Sequence, residues 1–453
     1  MFVGTEFGER ARRGRRHVQL HHRLTTSILA LTLVTGAGVF AWASEDVGIR
    51  VALPSNTSLT VADAIAAGSA VSIASPHATA NVTAAATSAV LPKATHRITG
   101  WLHTQGSLIL DSRGRRVRFV SMGIHGMEVG AGLSAAAAGR SPAKGWSVPT
   151  PATYANVARW GFNSVRLAVS WANLEPAAPT VVGGRLRHHF NAGYVAALDG
   201  IVRGFARRHV AVILDMHQND WSPAFARGST RWLGAGLPAW LYPGVSSEDT
   251  ARRWFFADHG RVQQRLAAAW RFLAGHFAHD RMVVGADLFN EPYALRDGAL
   301  PASKLHLDAL YRRLGTAVRA ANPRMLLIFE DSQDLGHGGF GLSSAAPFRN
   351  EVYSFHDYRP TWSSAWSVIR RYEARARRWN VPLWIGEFNG FGAGVNAQPV
   401  AAGWQSALRR MMRVTRRAGI GWSFWAYDGA NSLVYLHSDT PKQPLLSILR
   451  SGR

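Results

Sequence analysis

Two apolar runs of this chain end on groups that can do acid, base or nucleophilic chemistry. The run 283-VVGADLFNE-291 ends on Asn290 and Glu291 and is stopped by a proline, and the run 382-PLWIGEF-388 carries Glu387. Apolar runs of this length, bounded by turn residues, are typical of strands buried on both faces. Each carboxylate is therefore expected where a strand leaves the core.

Other strand-like runs also end on polar or aromatic side chains. These side chains are Arg166, His217, His356, Tyr358 and Trp425. Each alone has an ordinary structural explanation, since a single His at a strand end is more often a hydrogen-bonded structural residue than a catalytic one. Their recurrence at corresponding positions of a repeating unit predicts that they converge on one pocket.

A pair of carboxylates about 5 to 5.5 Å apart suits double displacement at a glycosidic bond. Glu387 would attack the anomeric carbon, while Glu291 would protonate the leaving oxygen and then act as base on water. Burial and the negative charge of Glu387 are expected to raise the pKa of Glu291. Hydrogen bonds from Arg166 and from the Tyr358 hydroxyl would keep Glu387 ionised. Asn290 is suited to bind the sugar 2-hydroxyl.

The elements that must position these residues form an eightfold repeat. Short apolar runs alternate with longer segments of helical spacing; the runs are 117–125, 163–171, 210–217, 283–291, 325–331, 351–358, 382–388 and 419–427. Eight such units predict an α/β fold, a (β/α)8 TIM barrel, preceded by a short N-terminal β-hairpin within 107–119. The active site is then expected at the C-terminal ends of the strands. A dinucleotide fold is disfavoured, because no glycine-rich phosphate loop follows any run.

These motifs resemble glycoside hydrolase family 5, the cellulase family, over Trp101 to Arg453. The likeness is carried by Arg166 in 161-GFNSVRLAVSW-171, by His217 in 214-LDMHQ-218 and by Asn290 with Glu291 in 289-FNEP-292. It continues with His356 and Tyr358 in 355-FHDY-358, Glu387 in 385-IGEF-388 and Trp425 in 423-SFWAY-427. The resemblance implies a retaining β-glycosidase with Glu291 as acid/base and Glu387 as nucleophile. It also implies Arg166, His217, Asn290, His356, Tyr358 and Trp425 as supporting residues, and no metal or organic cofactor.

The substrate stays open between two classes. A β-glucan-type oligo- or polysaccharide is the first expectation, and mannan is not excluded. His217 followed by Gln218, with Trp221 close behind, also resembles the endoglycoceramidase branch, whose members cleave the glycan from a glycolipid. Trp171 and Trp221 are candidate sugar-stacking aromatics, although loop aromatics can equally pack the loop onto the barrel.

A non-catalytic carbohydrate-binding protein of the cell envelope is the alternative from another functional class. The intact pair of Glu291 and Glu387 disfavours it, because a protein that only binds sugars has no need to hold two carboxylates together against their repulsion. Metal binding is not expected, since the pocket side chains have roles without a ligand cluster.

The first part of the chain is unlike the rest. Residues 1–43 combine an Arg-rich segment with an apolar stretch and a small-x-small pattern, which predicts a secretory signal or, if it is retained, a membrane anchor. Residues 44–96 are rich in Ala, Ser and Thr and predict a disordered linker. Residues 97–453 are predicted to form the catalytic domain. The expected location is secreted, extracellular or anchored at the cell surface, and the lack of cysteine excludes disulfides.

The formal net charge is +23, and residues 1–43 hold six Arg and two Glu, so the excess continues beyond them. Arg pairs recur along the chain in segments of helical spacing. This distribution favours a solvated basic exterior over a groove specific for nucleic acid. Such an exterior is compatible with electrostatic association with an anionic cell envelope.

Overall fold

The computed structural model divides the chain into two units, Met1–Leu91 and Pro92–Arg453. It describes residues 92–129, 146–218, 221–225, 236–292, 302–332, 340–359, 361–389, 402–428, 432–435 and 438–453, with four short strands before them. Those strands form two antiparallel pairs: β1 (Leu29–Leu31) with β2 (Ala41–Ala43), and β3 (Arg50–Ala52) with β4 (Ser58–Thr60). Most of the predicted signal segment and linker lies outside the described residues. The division at residues 43 and 96 therefore stays a prediction.

The second unit begins with a small four-stranded sheet in the order β5-β8-β7-β6. Its strands are β5 (Ala94–Thr95), β6 (Leu102–Gln105), β7 (Leu108–Asp111) and β8 (Arg116–Val117). β7 and β8 form the predicted hairpin. Leu102, Ile109 and Val117 of this sheet pack in one apolar cluster with residues at the beginnings of barrel strands, such as Ala211 and Val284. The small sheet thus covers the end of the barrel opposite the expected site.

Eight parallel strands then close into a barrel in the order β10-β13-β14-β15-β16-β17-β18-β9. They are β9 (Val120–Ile124), β10 (Ser164–Val169), β13 (Ala211–Met216), β14 (Val283–Asp287), β15 (Leu326–Glu330), β16 (Glu351–His356), β17 (Leu383–Phe388) and β18 (Gly421–Phe424). A separate exposed hairpin pairs β11 (Thr180–Val182) with β12 (Arg185–Arg187). Every barrel strand falls within one of the eight runs expected from the sequence, so the predicted (β/α)8 barrel is confirmed.

Helices connect the strands on the outside of the barrel. They are α1 (Pro151–Arg159), α2 (Trp171–Leu174), α3 (Ala192–Ala206), α4 (Glu248–Phe256), α5 (Val262–His276), α6 (Leu307–Ala321), α7 (Trp362–Trp379), α8 (Trp404–Ala418) and α9 (Leu445–Ser451). In α8 the stripe Leu408, Met411, Met412 and Thr415 is buried, while its Arg residues are exposed. This amphipathic pattern fixes which face meets the barrel. Among the described residues, no helix has both the length and the apolarity needed to cross a bilayer.

Candidate active site

Arg166 lies at the centre of the polar cluster inside the barrel. It is fully buried in β10, and its Nε donates to Asp287 Oδ2 at 2.8 Å. Nη1 lies 2.9 Å from Asp215 Oδ2 and also donates to Glu387, while Nη2 donates to Asn290 Oδ1 at 2.8 Å. Burial alone would lower the pKa of Arg166, but the surrounding carboxylates outweigh it and hold this pKa well above the ordinary value. The guanidinium therefore stays charged and fixes several site residues at once.

Glu387 receives hydrogen bonds on both of its oxygens. Arg166 donates to Oε1, and the Tyr358 hydroxyl donates to Oε2 at 2.7 Å. Glu387 is 3% exposed, so it depends on these two donors rather than on bulk water. Tyr358 is 42% exposed as a residue, but its hydroxyl is enclosed beside Glu387. Loss of water around this hydroxyl, followed by the nearby Glu387, raises the pKa of Tyr358 well above its ordinary value, so the hydroxyl keeps its proton. Such donors stabilise a carboxylate in its ionised form.

Glu291 follows β14 with its backbone in the left-handed region, at φ 44°. This region is unfavourable for a residue other than glycine and needs support from its surroundings. The Gln218 amide gives that support by donating to the main-chain oxygens of Asn290 at 2.8 Å and Glu291 at 2.9 Å. The main-chain N–H of Glu291 donates to Glu330 Oε2 at 2.9 Å. The turn that presents Glu291 is thus held from both sides.

His356 lies between the two glutamates. Its Nδ1 is 2.8 Å from Glu291 Oε1 and 3.5 Å from Glu387 Oε2. One oxygen of Glu291 and one of Glu387 lie within 4.8 Å of each other. That separation agrees with the short spacing of retaining glycosidases and not with the wider gap that an inverting enzyme needs for water. Burial lowers the pKa of His356 to about 3, so its imidazole is neutral at neutral pH.

Trp425 and His217 form a parallel stack beside the carboxylates. The ring centroids are 5.1 Å apart with an interplanar angle of 7°. His217 Nδ1 lies 2.7 Å from Asp215 Oδ2. Burial acts to lower the pKa of His217, but attraction to Asp215 outweighs it and raises this pKa to about 9. The ring under Trp425 is therefore a cation at neutral pH, which favours the stack.

Two further acids lie deeper in the barrel than the glutamate pair. Asp287 and Glu330 are both completely buried. Burial raises the pKa of Asp287 to about 7, and Arg166 only partly opposes this effect. Burial, then repulsion from Asp287 and Glu291, raises the pKa of Glu330 well above its ordinary range. Burial thus favours the protonated form of both acids more than an exposed position would.

The two candidate stacking aromatics do not face the pocket. Trp171 is 1% exposed and donates its indole N–H to Glu175 Oε2 at 2.9 Å. Trp221 has no exposed surface, donates to the Tyr242 hydroxyl at 3.0 Å and packs edge-on against Phe255. Neither ring offers a face to a sugar. The structure thus replaces this hypothesis with the alternative that these aromatics pack their segments onto the barrel.

Two sets of three side chains place possible metal-ligand atoms within 4.8 Å of one another: Asp215, His217 and Glu387, and Glu291, His356 and Glu387. In the first set, Arg166 Nη1 already contacts the carboxylates of Asp215 and Glu387. A metal cation there would have to compete with a fixed guanidinium. In the second set, the glutamates would lose their separate roles if one ion bound both. We assign no metal to either set.

Three buried acids were not among the expected site residues, namely Asp215, Asp287 and Glu330. Each lies in or directly ends an otherwise apolar barrel strand, as in 326-LLIFE-330. An acidic residue in such a strand is the sequence signal that could have identified them, because a buried carboxyl needs a partner. The expected residues Arg166, His217, Asn290, Glu291, His356, Tyr358, Glu387 and Trp425 are brought together at one end of the barrel.

A closed (β/α)8 barrel with two facing carboxylates at the C-terminal ends of its strands is suited to the paired carboxyl chemistry of a glycosidase. Residues 120–431 match the model of the cellulase family, glycosyl hydrolase family 5. The chain belongs to this family and is a glycosidase that hydrolyses O-glycosyl compounds.

Relatives of two kinds are similar to this chain. An endoglucanase of Paenibacillus polymyxa is 22% identical over 77% of this chain and 87% of its own length. Endoglycoceramidase I of Rhodococcus hoagii is 24% identical over 62% of this chain and 61% of its own length. A solved structure of endo-glycoceramidase II from Rhodococcus sp., in a five-membered iminocyclitol complex, has a TM-score of 0.61 and 25% identity, over 76% of this chain and 81% of that one.

Proposed function

We propose that this glycosidase works by double displacement with net retention, with Glu387 as nucleophile and Glu291 as acid/base. The observation that carries the proposal is the approach of one Glu291 oxygen and one Glu387 oxygen to within 4.8 Å, with His356 Nδ1 near both. Glu387 attacks the anomeric carbon from one side, and the leaving oxygen takes the proton of Glu291. Water then attacks the glycosyl ester, giving its proton to Glu291 and releasing Glu387.

The supporting residues have separate tasks. Arg166 and Tyr358 hydrogen-bond to the two oxygens of Glu387 and orient them for attack. The Asn290 side chain, held by Arg166 and by the Gln218 main-chain oxygen at 2.8 Å, presents its amide to the sugar 2-hydroxyl. Trp425, backed by the cationic His217, forms the platform under the sugar ring. All of these groups are polarised or charged before the substrate arrives, so the site needs little reorganisation in the transition state.

A β-glucan-type oligo- or polysaccharide is the first substrate class. Its support is the likeness to an endoglucanase along most of both chains. A glycolipid is the second candidate, and the specific observation in its favour is the likeness to endo-glycoceramidase II in both sequence and fold. In both classes the bond cleaved is a β-glycosidic bond, so one catalytic apparatus serves either.

The test is hydrolysis by the full chain of soluble β-glucan, β-mannan, lactosylceramide in detergent micelles and aryl β-glycosides. The first anomer released, followed by proton NMR, is expected to be β. Glu387→Ala should abolish turnover of every substrate at unchanged far-UV circular dichroism. An initial α anomer, or residual turnover equal to wild type in Glu387→Ala, would overturn the mechanism.

A second variant tests the acid. Glu291→Ala should depress hydrolysis of substrates with poor leaving groups by about 10²- to 10⁴-fold, and of activated aryl glycosides far less, because good leaving groups need little protonation. Equal losses on both substrate classes would contradict the acid role. The substrate on which wild-type kcat/KM is highest decides between the glucan and the glycolipid class.

The proposal also covers the cellular location of the protein, which is inferred from the sequence of residues 1–43. The protein is exported, and it stays at the cell surface if the apolar segment is kept. Its basic exterior supports electrostatic association with the anionic envelope. Mass spectrometry of the protein from culture medium and from washed cells measures this directly. A chain found only inside cells with an intact N-terminus would contradict export.

A further inference from the structure

One buried carboxyl contacts the acid/base from behind and has no role in the double displacement. Glu330 ends β15 and has no exposed surface. Its Oε2 accepts the main-chain N–H of Glu291 at 2.9 Å and lies 3.3 Å from Nε2 of His356. A single carboxyl group thus contacts both the backbone of the acid/base and the far side of its imidazole partner.

Two buried polar atoms of this residue pair lack a hydrogen bond. In the described part of the chain, neither His356 Nε2 nor Glu330 Oε1 has a hydrogen-bond partner. An unpaired polar atom in a dry interior costs about 1 to 3 kcal/mol. A carboxyl group that carries a proton can remove one of these costs by donating O–H to the ring nitrogen. An ionised carboxylate has no hydrogen to donate to the lone pair of the ring nitrogen, so it leaves both costs in place.

The groups around Nδ1 of His356 determine which ring nitrogen carries the hydrogen. Nδ1 faces carboxylate oxygens of Glu291 at 2.8 Å and Glu387 at 3.5 Å. Two acceptors favour N–H on Nδ1. Since burial keeps His356 neutral, it has only one N–H, and Nε2 is then an acceptor that requires a donor. Glu330 Oε2 is within reach of it.

The surrounding charges agree with a protonated Glu330. Among the described residues, the titratable groups around Glu330 include Asp287, Glu291, Arg166, His356 and Tyr311. Those that act on His356 include Glu387, Arg166, Asp215 and His217. Burial and the two neighbouring acids raise the pKa of Glu330, while Arg166 at 4.0 Å and the hydrogen bond from the Glu291 main-chain N–H partly oppose this rise. Glu330 thus binds a proton more tightly than an exposed glutamate.

We propose that Glu330 is a positioning residue for the acid/base: its carboxyl O–H donates to His356 Nε2 and so fixes the imidazole hydrogen on Nδ1, directed at Glu291. The same oxygen accepts the Glu291 main-chain N–H and holds the strained turn. Oε1 of Glu291 accepts this hydrogen bond, and the proton for the leaving oxygen is carried on Oε2. No proton moves along the chain of contacts. This inference rests on the proposed role of Glu291.

The experiment compares two substitutions of Glu330 in the full chain. In Glu330→Gln an amide nitrogen in place of Oε2 can still donate N–H to His356 Nε2, although it cannot accept the Glu291 main-chain N–H, so the imidazole hydrogen stays on Nδ1 and the pH profile of kcat/KM should stay within about 0.3 pH units of wild type. In Glu330→Leu both hydrogen bonds are lost and the imidazole hydrogen can move to Nε2. Glu291 then loses a hydrogen bond that favours its anion and holds its proton to higher pH.

The expected result for Glu330→Leu has two parts. The alkaline limb of the profile moves up by about one pH unit, and kcat/KM on poor leaving groups falls roughly tenfold more than on activated aryl glycosides. Tyr311→Phe is the matched control, since the Tyr311 hydroxyl donates to the Glu330 main-chain oxygen at 2.6 Å without contacting His356. It should lower stability without moving the profile. A profile unchanged in Glu330→Leu, or moved equally in Glu330→Gln, overturns the proposal.

A measurement on folded protein covers the case in which Glu330→Leu fails to fold. With ¹³C-labelled glutamate at pH 7, the wild-type spectrum should contain a protonated carboxyl signal that is absent from Glu330→Gln. Loss of an ionised carboxylate signal instead would overturn the proposal. Failure of the proposed function is seen separately, because Glu291→Ala would then lack its leaving-group dependence whatever Glu330 does.

Discussion

At the scale of single residues, the site is built around one guanidinium. Arg166 contacts Asp215, Asp287 and Glu387 with all of these side chains buried. Buried charges are costly unless each has a partner, and removing one partner of such a group typically costs about 3 to 5 kcal/mol. A lysine could not replace it, because an ammonium group lacks the planar fork that reaches several acceptors in fixed directions. Arg166 thus fixes Glu387 in place, and its loss would leave several carboxylates of the barrel interior without their partner.

His217 provides a prediction on pH and stability. Its folded-state pKa of about 9 lies above the ordinary 6.5, so the charged ring contributes stability that is fully present below pH 6.5 and is lost as the pH rises through 9. The shift corresponds to about 3 kcal/mol. Urea unfolding at pH 7 and pH 10 should show this loss in wild type and not in His217→Gln. Parallel losses in both proteins would contradict the charged ring; tyrosine and lysine titration contributes equally to each.

At the scale of elements, β9 packs closely against the residues that follow β18. Gly123 in β9 is paired with Arg166 of β10, and its carbonyl accepts the N–H of Tyr427 at 2.9 Å. A Cβ at this glycine would lie 2.5 Å from Cε3 of Trp425 and 3.2 Å from the Phe424 main-chain oxygen. Only a residue without a side chain leaves room for the indole. The position of Trp425 therefore depends on an element at the other end of the sequence.

Gly123→Ala is expected to displace Trp425 and weaken sugar binding. Loss of about 1 kcal/mol of stacking should raise KM about fivefold, with a smaller effect on kcat. Steady-state kinetics on an aryl β-glycoside measures both values. Gly200→Ala in α3 is the matched control, because a Cβ there meets nothing within 4 Å and alanine favours a helix. An unchanged KM in Gly123→Ala, or an equal rise in Gly200→Ala, would count against a platform set by this glycine.

The same elements show what sequence reasoning reaches and what it does not. The barrel strands were predictable because both of their faces are buried, so each is a largely apolar run, such as 210–214, between amphipathic helices. Glu291 and Glu387 were identifiable because a polar residue at the end of such a run is unusual. The contact between His356 and Glu330 was not, since Glu330 lies on another strand and the burial that raises its pKa is encoded by no local pattern.

Aromatic residues in long connections mark a second limit. Composition does not distinguish a ring that faces a pocket from one that faces the core. Trp221 packs among Phe255, Phe256 and Phe289, with the Arg252 guanidinium 4.6 Å from its ring centroid. Those neighbours come from α4 and from the end of β14. Their convergence is set by the closure of the barrel, which is a tertiary property.

At the scale of the whole molecule, the basic excess is concentrated on the outer helices. α8 carries five exposed Arg and no acidic residue, namely Arg409, Arg410, Arg413, Arg416 and Arg417. The neighbouring α7 exposes Arg370, Arg371, Arg377 and Arg378, with Glu373 as its acidic residue. Arg is not uniformly solvated, since Arg252 is 5% exposed and pairs with Glu248. The surface of α7 and α8 is therefore the part of the described chain best suited to meet an anionic polymer or lipid.

The full chain should bind vesicles that contain phosphatidylserine more tightly than neutral vesicles, because each basic residue near an anionic surface contributes about 1 kcal/mol. The affinity should fall as the salt concentration rises. Replacing Arg410, Arg413 and Arg417, which lie on one stripe of α8, with glutamine should remove most of this binding in a cosedimentation assay and leave hydrolysis of a soluble aryl glycoside unchanged. The matched control replaces three exposed Arg elsewhere: Arg185, Arg187 and Arg203. Equal loss in both triple variants would mean that net charge alone attracts the protein to the surface. Loss confined to the α8 variant would mean that the enzyme meets its envelope with a defined face, and that its orientation there is set by the helices rather than by the site.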